Sequence, residues 1–289
     1  MKTFMGYVCV MAASGAFALD FTVPVEKLAG DFQFTEGPLW VAASNELLFS
    51  DIPANRIVSF KDGKCATFRT PSHNSNGLTL DKQARLIACE HGSRRVTRTE
   101  TDGTITVLAE RYESKRLNSP NDVVVKNDGA VYFTDPPYGV KSDERELNFQ
   151  GVFRLAPDGK TLTLVAKDFG MPNGLAFTPD EKVIYINDTE RGHIRAFDVA
   201  PDGTLANSRV FASAPNADGM KVDTEGNVYC ACKTGVMVWD RTGKHLGTLA
   251  TPEQPANCAF GGADWKTLYI TSSTSLCRAG LSAPGVKVP

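Results

Sequence analysis

The sequence predicts an all-β fold, a six-bladed β-propeller, and three observations support this fold class. A two-stranded segment recurs six times along the 289 residues. A second hairpin follows five of the copies, and a strand-like segment near the N-terminus is left over to close the ring. Repeats of about 40 to 50 residues built from β-hairpins are typical of propeller blades, so the repeats decide the fold class.

Each copy has a polar residue, a short apolar strand, a turn, and a second strand rich in Leu, Ile, Val, Tyr and Phe. The copies begin 39 to 52 residues apart, at Glu36, Asn76, Asn121, Asn173, Asp218 and Asn257. The apolar strand faces supply the packing between blades, so most aliphatic and aromatic residues need no functional explanation.

The second hairpin of each blade turns at a recognisable dipeptide. These dipeptides are Asp62-Gly63, Asp102-Gly103, Asp158-Gly159, Asp202-Gly203 and Thr242-Gly243. Asp-Gly supplies the left-handed backbone that tight hairpins need. The sixth copy reaches the C-terminus before its second hairpin is clear, so we expect residues 21–25 to form a strand that pairs with it and leaves no exposed edge. Residues 19–289 are therefore predicted to be one propeller domain.

Residues 1–18 have the pattern of an export signal. Lys2 precedes an apolar run over residues 4–13, and the sequence AFA at 16–18 offers a small-x-small cleavage site. The alternative is a short buried helix or strand. The export interpretation predicts a periplasmic or secreted protein with six remaining cysteines, an even number that permits disulfides without assigning them. Cys230 and Cys232 lie two apart on a predicted strand, so they suit core packing better than bonding to each other.

The composition excludes several kinds of partner. Hydrophobic residues make up 42% of the chain and charged residues 22%, with a formal net charge of −2 and a pI near 6.1. Without a basic cluster, the chain is not expected to bind nucleic acid or an anionic membrane. No apolar run is long enough to span a membrane.

The six residues that open the first strands should meet around one axis, because the first strand of each propeller blade lines the central channel. Every one of these residues has a side-chain oxygen. Asn and Asp also suit the turn that enters a strand, but this alternative explains six matching positions poorly, Glu36 above all. Amide and carboxylate oxygens without His or Cys favour a hard cation. We therefore predict a divalent cation site for Ca²⁺, with Mg²⁺, Mn²⁺ and Zn²⁺ as alternatives.

A second set of acids should end near the same face, since each returning strand ends beside the start of its partner. Counting from the turns pairs Glu36 with Asp51, Asn76 with Glu90, Asn121 with Asp135, and Asn173 with Asp188. These acids either orient ligands and contact substrate or cap turns and hold the blades together.

Other catalytic signatures are weak. His73 and His91 flank the upper elements of the second blade and could reach the channel mouth, but no histidine pair has the spacing of a helical metal site. No G-x-S-x-G elbow, phosphate-binding loop or dinucleotide fingerprint occurs in the sequence. Serine-triad hydrolysis and nucleotide chemistry therefore have no support.

At these residues the sequence resembles the gluconolactonase/regucalcin family of six-bladed, metal-dependent lactonases. The resemblance extends from about residue 34 to 275. It is carried by EGP at 36–38, FSDIP at 49–53, NSNGL at 74–78, NSPND at 118–122, TDPPYG at 134–139, PNG at 172–174 and ADGM at 217–220. Their order and spacing together make the match specific.

The resemblance implies a set of site residues. Glu36, Asn173 and Asp218 would ligate the metal, and Asn121 would complete the site or contact substrate. Asp218 is the first choice for the general base and Asp188 the second. The candidates for hydrogen bonds to a sugar lactone are Arg116, Asn118, Glu90 and Tyr138, although two extra residues separate Arg116 from Asn121 compared with the animal branch.

The implied function is metal-dependent hydrolysis of a sugar lactone, with conversion of D-glucono-lactone to gluconate as the leading candidate. One alternative is an aryl-ester or organophosphate hydrolase on the same kind of propeller. Another is a binding propeller in which calcium only ties the blades together.

Overall fold

The computed structural model describes residues 19–288, so the predicted export signal lies outside the described residues. These residues form six four-stranded antiparallel sheets, a two-stranded ribbon and one short 3-10 helix. The fold is the predicted six-bladed propeller. No helix in this part of the chain is both long and apolar enough to cross a membrane.

The first three complete blades follow one another along the chain. Blade 1 contains β2 (Thr35–Val41), β3 (Glu46–Asp51), β4 (Arg56–Lys61) and β5 (Lys64–Arg69). Blade 2 contains β6 (Ser75–Leu80), β7 (Leu86–Glu90), β8 (Arg95–Thr99) and β9 (Ile105–Ala109). Blade 3 contains β12 (Val123–Val125), β13 (Val131–Asp135), β14 (Gly151–Leu155) and β15 (Leu162–Ala166).

The other three blades complete the ring. Blade 4 contains β16 (Pro172–Phe177), β17 (Val183–Asp188), β18 (His193–Val199) and β19 (Leu205–Ser213). Blade 5 contains β20 (Met220–Val222), β21 (Val228–Cys232), β22 (Gly235–Trp239) and β23 (His245–Leu249). Blade 6 contains β24 (Pro255–Gly261), β25 (Thr267–Ser272), β26 (Ser275–Gly280) and, from the other end of the chain, β1 (Glu26–Ala29).

The predicted closure by the N-terminal segment is confirmed, but its strand is displaced. Residues 21–25 form no strand, and β1 begins at Glu26, which pairs with Arg278. Pro24 lacks the N–H that a ladder position needs, which is a physical reason for a later start. Phe21, Val23 and Val25 instead pack against the apolar core between blades 5, 6 and 1.

The predicted turns are present in all five second hairpins. The glycine of each dipeptide has a positive φ, with values of 76° at Gly63, 86° at Gly103, 69° at Gly159, 83° at Gly203 and 87° at Gly243. This left-handed conformation explains the glycines at these positions.

The innermost strand of each blade contacts the innermost strands of both neighbouring blades, so that β2, β6, β12, β16, β20 and β24 surround the channel. Glycine permits this approach at Gly174, where an added Cβ would lie 2.3 Å from the backbone oxygen of Asp218. A larger residue at this position would push blades 4 and 5 apart.

Two insertions lie at the channel end where the innermost strands begin. The ribbon of β10 (Arg111–Tyr112) and β11 (Lys115–Arg116) precedes blade 3. Residues 136–150, which include the 3-10 helix Ser142–Glu144, connect β13 to β14. This second insertion accounts for the longest interval between repeats, and both segments form part of the channel mouth.

The opposite end of the channel contains a cavity of about 110 Å³ that is lined by the far ends of the innermost strands and by residues 286–288. The C-terminal segment is fastened there by backbone hydrogen bonds from Val286 to Val222 and from Gly285 to Trp265. The channel mouth and this cavity are therefore at opposite faces of the propeller.

The six described cysteines are free thiols. Cys65 is exposed, while Cys230 and Cys232 are buried in the core between blades 4 and 5. The predicted packing role of this pair is confirmed.

Candidate metal and substrate site

The six residues predicted from the repeats lie at the mouth end of the innermost strands. Glu36, Asn76, Asn173 and Asn257 are within these strands, whereas Asn121 and Asp218 stand two residues before β12 and β20. Asp218 is half-buried and the other five are buried. We call these six residues the mouth ring.

Two carboxylates face the same buried space in the mouth ring. Burial raises the pKa of Glu36 to about 7, with a further contribution from the negative charge of Asp122. The pKa of Asp218 lies well above its ordinary value because the carboxyl is shielded from water and because Glu36 is close. Two ionised carboxylates in such a place are unfavourable unless a proton or a cation neutralises them. Their arrangement favours a bound cation.

The amides of the mouth ring differ in which atom is already hydrogen-bonded. Asn257 uses both ends, because Nδ2 donates to Glu36 Oε2 at 2.8 Å and Oδ1 accepts from the backbone N–H of Cys258 at 2.8 Å. Asn257 therefore holds Glu36 in place.

Asn173 presents its oxygen. Its Nδ2 donates to the Tyr138 hydroxyl at 3.3 Å and to Thr189 Oγ1 at 3.1 Å. Its buried Oδ1 has no hydrogen-bond donor among the described residues. A buried amide oxygen without a donor is the type of ligand that a hard cation prefers.

Asn76 and Asn121 form a hydrogen-bonded pair. Asn76 Nδ2 donates to Asn121 Oδ1 at 2.7 Å, and Asn76 Oδ1 has no donor in the described part of the chain. The oxygen of Asn121 is thus engaged, whereas its Nδ2 is not used in this pair. This direction of the hydrogen bond favours a role for Asn121 in contacting substrate over a role as a metal ligand.

The described part of the chain contains no conventional cluster of metal ligands. Within residues 19–288, no group of three or more His, Cys, Asp or Glu side chains could hold a metal ion. The mouth ring has only two carboxylates, and its remaining oxygens belong to amides, which fits calcium better than zinc.

In blades 1, 2 and 4, the acids at the ends of the second strands do not pair with the mouth-ring residues. In blade 1, Glu36 pairs with Ser50, while Asp51 pairs with Thr35. Because neighbouring residues of a strand face opposite sides of the sheet, Asp51 lies on the other face from Glu36. The predicted pairing was wrong by one residue here, and equally in blades 2 and 4, where Glu90 pairs with Ser75 and Asp188 with Pro172.

Asp188, the second choice for the base, is engaged with backbone groups. Its carboxylate accepts hydrogen bonds from the N–H groups of Gly170 at 2.8 Å, Met171 at 2.9 Å and Arg191 at 3.1 Å. It is fully buried. These contacts fix the segment that leads into β16, so Asp188 has a supporting position in the structure.

Glu90, a substrate candidate, is also held within its own blade. Its carboxylate accepts from Arg95 Nε at 2.7 Å and from Thr97 Oγ1 at 2.9 Å. The side chain is 1% exposed. The structure therefore places Glu90 between β7 and β8 rather than at the mouth.

Tyr138 is the substrate candidate that the structure brings to the mouth ring. Its hydroxyl accepts from Asn173, and its ring stacks on His91 with centroids 6.5 Å apart. His91 in turn lies beside Asn76, with Nε2 3.3 Å from Asn76 Nδ2. As a lone histidine, His91 has only a weak signal in the sequence, and His73 is exposed.

The side chains of Asn118 and Arg116 donate to backbone groups outside the mouth ring. Asn118 is buried, and its Nδ2 donates to the backbone oxygens of Asp135 at 3.1 Å and Phe149 at 3.0 Å. Arg116 is half-buried and donates to the backbone oxygen of Ser93 at 3.2 Å. Both residues hold mouth segments together.

Arg94 supports the same loop, and no motif in the sequence points to it. Its Nε donates to the backbone oxygens of Leu117 at 2.7 Å and Asn118 at 3.0 Å. The nearer of these two carbonyls is 23 residues from Arg94 along the chain, so no short sequence motif indicates the contact.

Known proteins resemble this chain in sequence and in fold. A family model described as the SMP-30/gluconolactonase/LRE-like region matches residues 34–274. The chain is 35% identical to the gluconolactonase of Zymomonas mobilis, over 90% of this chain and 82% of that protein. It is 32% identical to the pentonolactonase XacC of Haloferax volcanii, over 82% and 81% of the two chains.

A solved structure described as a gluconolactonase from Xanthomonas campestris has the same fold, with a TM-score of 0.83, 39% identity and coverage of 89% of each chain. The family model covers most of the sequence, and the relatives match over most of their own lengths. The chain therefore belongs to the SMP-30/gluconolactonase/LRE-like family.

Proposed function

We propose that this protein hydrolyses sugar lactones at the mouth ring, with D-glucono-lactone as the leading substrate and Ca²⁺ as the cofactor. The observation that carries the proposal is the arrangement of Glu36 and Asp218, two neighbouring carboxylates with raised pKa values, beside the donor-free Oδ1 of Asn173. The similarity to proteins named gluconolactonase and pentonolactonase supports the substrate class.

The residues of the mouth ring fit a divalent cation. Glu36 and Asp218 would balance its charge, and Asn173 would add a neutral oxygen. Asn257 would keep Glu36 oriented through the hydrogen bond to Oε2. Tyr138 and Thr189 would hold the amide nitrogen of Asn173, whose Oδ1 has no donor among the described residues and would be left for the cation.

A lactone is a cyclic ester, so its hydrolysis requires a polarised carbonyl, an activated water and stabilisation of the oxygen that gains negative charge. A bound divalent cation supplies Lewis-acid polarisation and charge stabilisation. Asp218 would accept the proton of the attacking water, because it is the mouth-ring carboxylate that is partly accessible from the channel. General-base catalysis contributes typically about 10²- to 10⁴-fold to the rate.

The half-buried ring of Tyr138 and the imidazole of His91 form one wall of the mouth. A sugar lactone has an apolar ring face as well as hydroxyl groups, so this wall and the neighbouring amides suit both parts of the substrate. Loop 136–150, which contains Tyr138, would then influence which lactone is accepted.

The test is hydrolysis of a panel of aldonolactones, aryl esters and organophosphates in a pH-stat, with and without a metal chelator. We expect the highest kcat/KM on a five- or six-membered sugar lactone, loss of activity on chelation, and recovery on addition of calcium. Preference for an aryl ester would favour the alternative hydrolase. Calcium binding without turnover of any substrate would favour the binding propeller.

We also propose that the protein is exported and acts in the periplasm or outside the cell. The support is the sequence pattern of residues 1–18 and the chain start near Leu19 that it implies.

A further inference from the structure

A chain of three side chains connects the end of β7 to the start of blade 3. His91 Nε2 lies 3.3 Å from Asn76 Nδ2, and Asn76 Nδ2 donates to Asn121 Oδ1 at 2.7 Å. An amide nitrogen has two hydrogens and no acceptor site. The nitrogen of Asn76 can therefore serve both neighbours only if His91 Nε2 is the acceptor, with the imidazole proton on Nδ1.

This chain of contacts fixes the orientation of the Asn121 amide. Its Oδ1 is engaged by Asn76, its backbone N–H donates to Thr134 O at 2.8 Å, and its backbone oxygen accepts from Gly77 N at 2.8 Å. The remaining group is the side-chain NH₂. Because an NH₂ group is a hydrogen-bond donor with no lone pair to offer a cation, it can bind a substrate oxygen but cannot ligate metal.

We propose that His91, acting through Asn76, is a positioning residue that turns the NH₂ group of Asn121 toward the channel, where it donates a hydrogen bond to an oxygen of the bound lactone. The inference rests on the proposed lactone hydrolysis. It takes the substrate-contact alternative for Asn121, with Glu36, Asn173 and Asp218 as the cation ligands that the family resemblance implies, and it adds His91 as the residue that orients the Asn121 amide.

The surroundings of His91 support its role as an acceptor. Burial lowers the pKa of the imidazole to about 4, so the ring is neutral near pH 7 and one of its two nitrogens is an acceptor. The Tyr138 ring covers the imidazole, and the Tyr138 hydroxyl is occupied by Asn173. The backbone N–H of His91 donates to Asn74 O at 3.2 Å, which anchors the residue at the strand end.

The experiment compares His91→Leu, which removes the acceptor, with His91→Gln, which can offer a side-chain oxygen in its place. Asn121→Ala and Asn173→Ala serve as matched controls, since both remove a mouth-ring amide. Two quantities are measured for each full-length variant: the calcium Kd by isothermal titration calorimetry with Ca²⁺ alone, and kcat and KM on D-glucono-δ-lactone at saturating calcium.

For His91→Leu and Asn121→Ala we expect a loss of about 10-fold in kcat/KM, the size of one hydrogen bond, with a calcium Kd close to that of the wild type. Asn173→Ala should weaken calcium binding strongly. His91→Gln should recover most of the loss. In the Asn121→Ala background, His91→Leu should have little further effect, because the group that it positions is gone.

Three results would overturn the inference: calcium binding weakened by Asn121→Ala as much as by Asn173→Ala, full kcat/KM in His91→Leu, or additive losses in the double variant. Failure of the proposed function is separate, since it would appear as a wild-type protein that does not hydrolyse lactones. The calcium titration would still decide whether Asn121 is a ligand. Circular dichroism and thermal melting of each variant identify any loss of fold.

Discussion

The two roles proposed for Asp218, cation ligand and proton acceptor, both fit its surroundings. Its pKa is raised, it is partly accessible from the mouth, and it lies beside Glu36. Asp188, by contrast, is fully buried and accepts three backbone N–H groups. The structure therefore favours Asp218 over Asp188 as the residue that contacts the reacting water.

The substitutions Asp218→Asn and Glu36→Gln should separate base from ligand. Asparagine keeps the size and one oxygen but loses the proton acceptor, so we expect kcat of Asp218→Asn to fall at least about 10²-fold even at saturating calcium. Glu36→Gln should act mainly through metal affinity and recover much of its activity in excess calcium. The measurement is kcat of both variants on a sugar lactone across a calcium titration.

Recovery of Asp218→Asn to nearly wild-type turnover at saturating calcium would contradict the assignment. Asp218 would then be a ligand only, and the base would have to be sought elsewhere at the mouth. The matched pair controls for charge, since each variant removes one negative charge from the mouth ring.

At the scale of the strand and its connections, the acids that end the second strands support the segments that carry the mouth ring. Asp188→Asn tests this role in blade 4. The amide keeps one oxygen, but its NH₂ group would face one of the backbone N–H groups that the carboxylate now accepts. We expect the free energy of unfolding to fall by about 1–3 kcal/mol, while kcat in saturating calcium stays close to that of the wild type.

Urea denaturation and lactone kinetics on the same Asp188→Asn preparation check this prediction. A loss of kcat of about 10²-fold or more without a change in stability would instead indicate a direct part in the chemistry.

Asp135 gives blade 3 a pH-dependent contribution to stability. It accepts from the backbone N–H of Asn118 at 2.8 Å, and its other oxygen is buried without a donor among residues 19–288. Burial raises its pKa from 3.8 to about 7. The folded state therefore binds this proton more tightly than the unfolded state, and the free energy of unfolding should fall as the pH rises from about 4 through 7.

Asp135→Asn removes this titration. Relative to the wild type, the variant should gain stability as the pH rises from 5 to 8, because only the wild-type carboxyl has to ionise in the buried site. Urea denaturation of both proteins at pH 5, 6, 7 and 8 in saturating calcium measures the difference. A difference that does not vary with pH would show that Asp135 is already ionised at pH 5.

The sequence predicted the blades and the mouth ring because both depend on repeated local patterns. Asp-Gly turns and alternating apolar residues specify hairpins. Six polar residues at the same position of each repeat specify the mouth ring. The predicted register was wrong by one residue in three blades. In each of them the pairing shifts inside the first hairpin, for example between Glu36 and Leu39. Counting from the turn does not detect such a bulge.

The orientation of each amide could not be predicted either. Whether Asn121 presents oxygen or nitrogen depends on the donor supplied by Asn76 from the neighbouring blade and, through it, on His91. These contacts join separate blades, and no spacing along the chain encodes them. The family resemblance implies that Asn121 is a site residue, but it leaves open whether Asn121 completes the metal site or contacts the substrate.

At the scale of the whole molecule, the N-terminus has to be positioned to close the ring. β1 begins at Glu26, seven residues after Leu19, and pairs with the last strand of blade 6. Cleavage of the predicted export signal after Ala18 would leave this strand intact. We expect N-terminal sequencing of protein from its native host to find a start near Leu19. An intact Met1 in a cytoplasmic fraction would contradict export.

The mouth ring draws its proposed cation ligands from blades 1, 4 and 5, so a bound cation would tie together blades that are distant along the chain. A ligand that binds only the folded state stabilises it by about 2.7 kcal/mol at 100 times its Kd. For a protein of this size we therefore expect calcium to raise Tm by roughly 5 °C. Glu36→Gln should show a much smaller rise at the same calcium concentration.

Asp51→Asn is the matched control for this calcium effect. Asp51 is also a buried carboxylate of blade 1, but it accepts from Gln33, Phe34 and Arg56 on the other face of the sheet. Its loss should lower Tm in the absence of calcium while leaving the calcium-induced rise unchanged. Differential scanning calorimetry of the three proteins after chelation and after calcium addition provides the comparison. An equal rise in wild type and Glu36→Gln would mean that the stabilising ion binds outside the mouth ring, because the ring would then have lost half of its carboxylate charge without consequence.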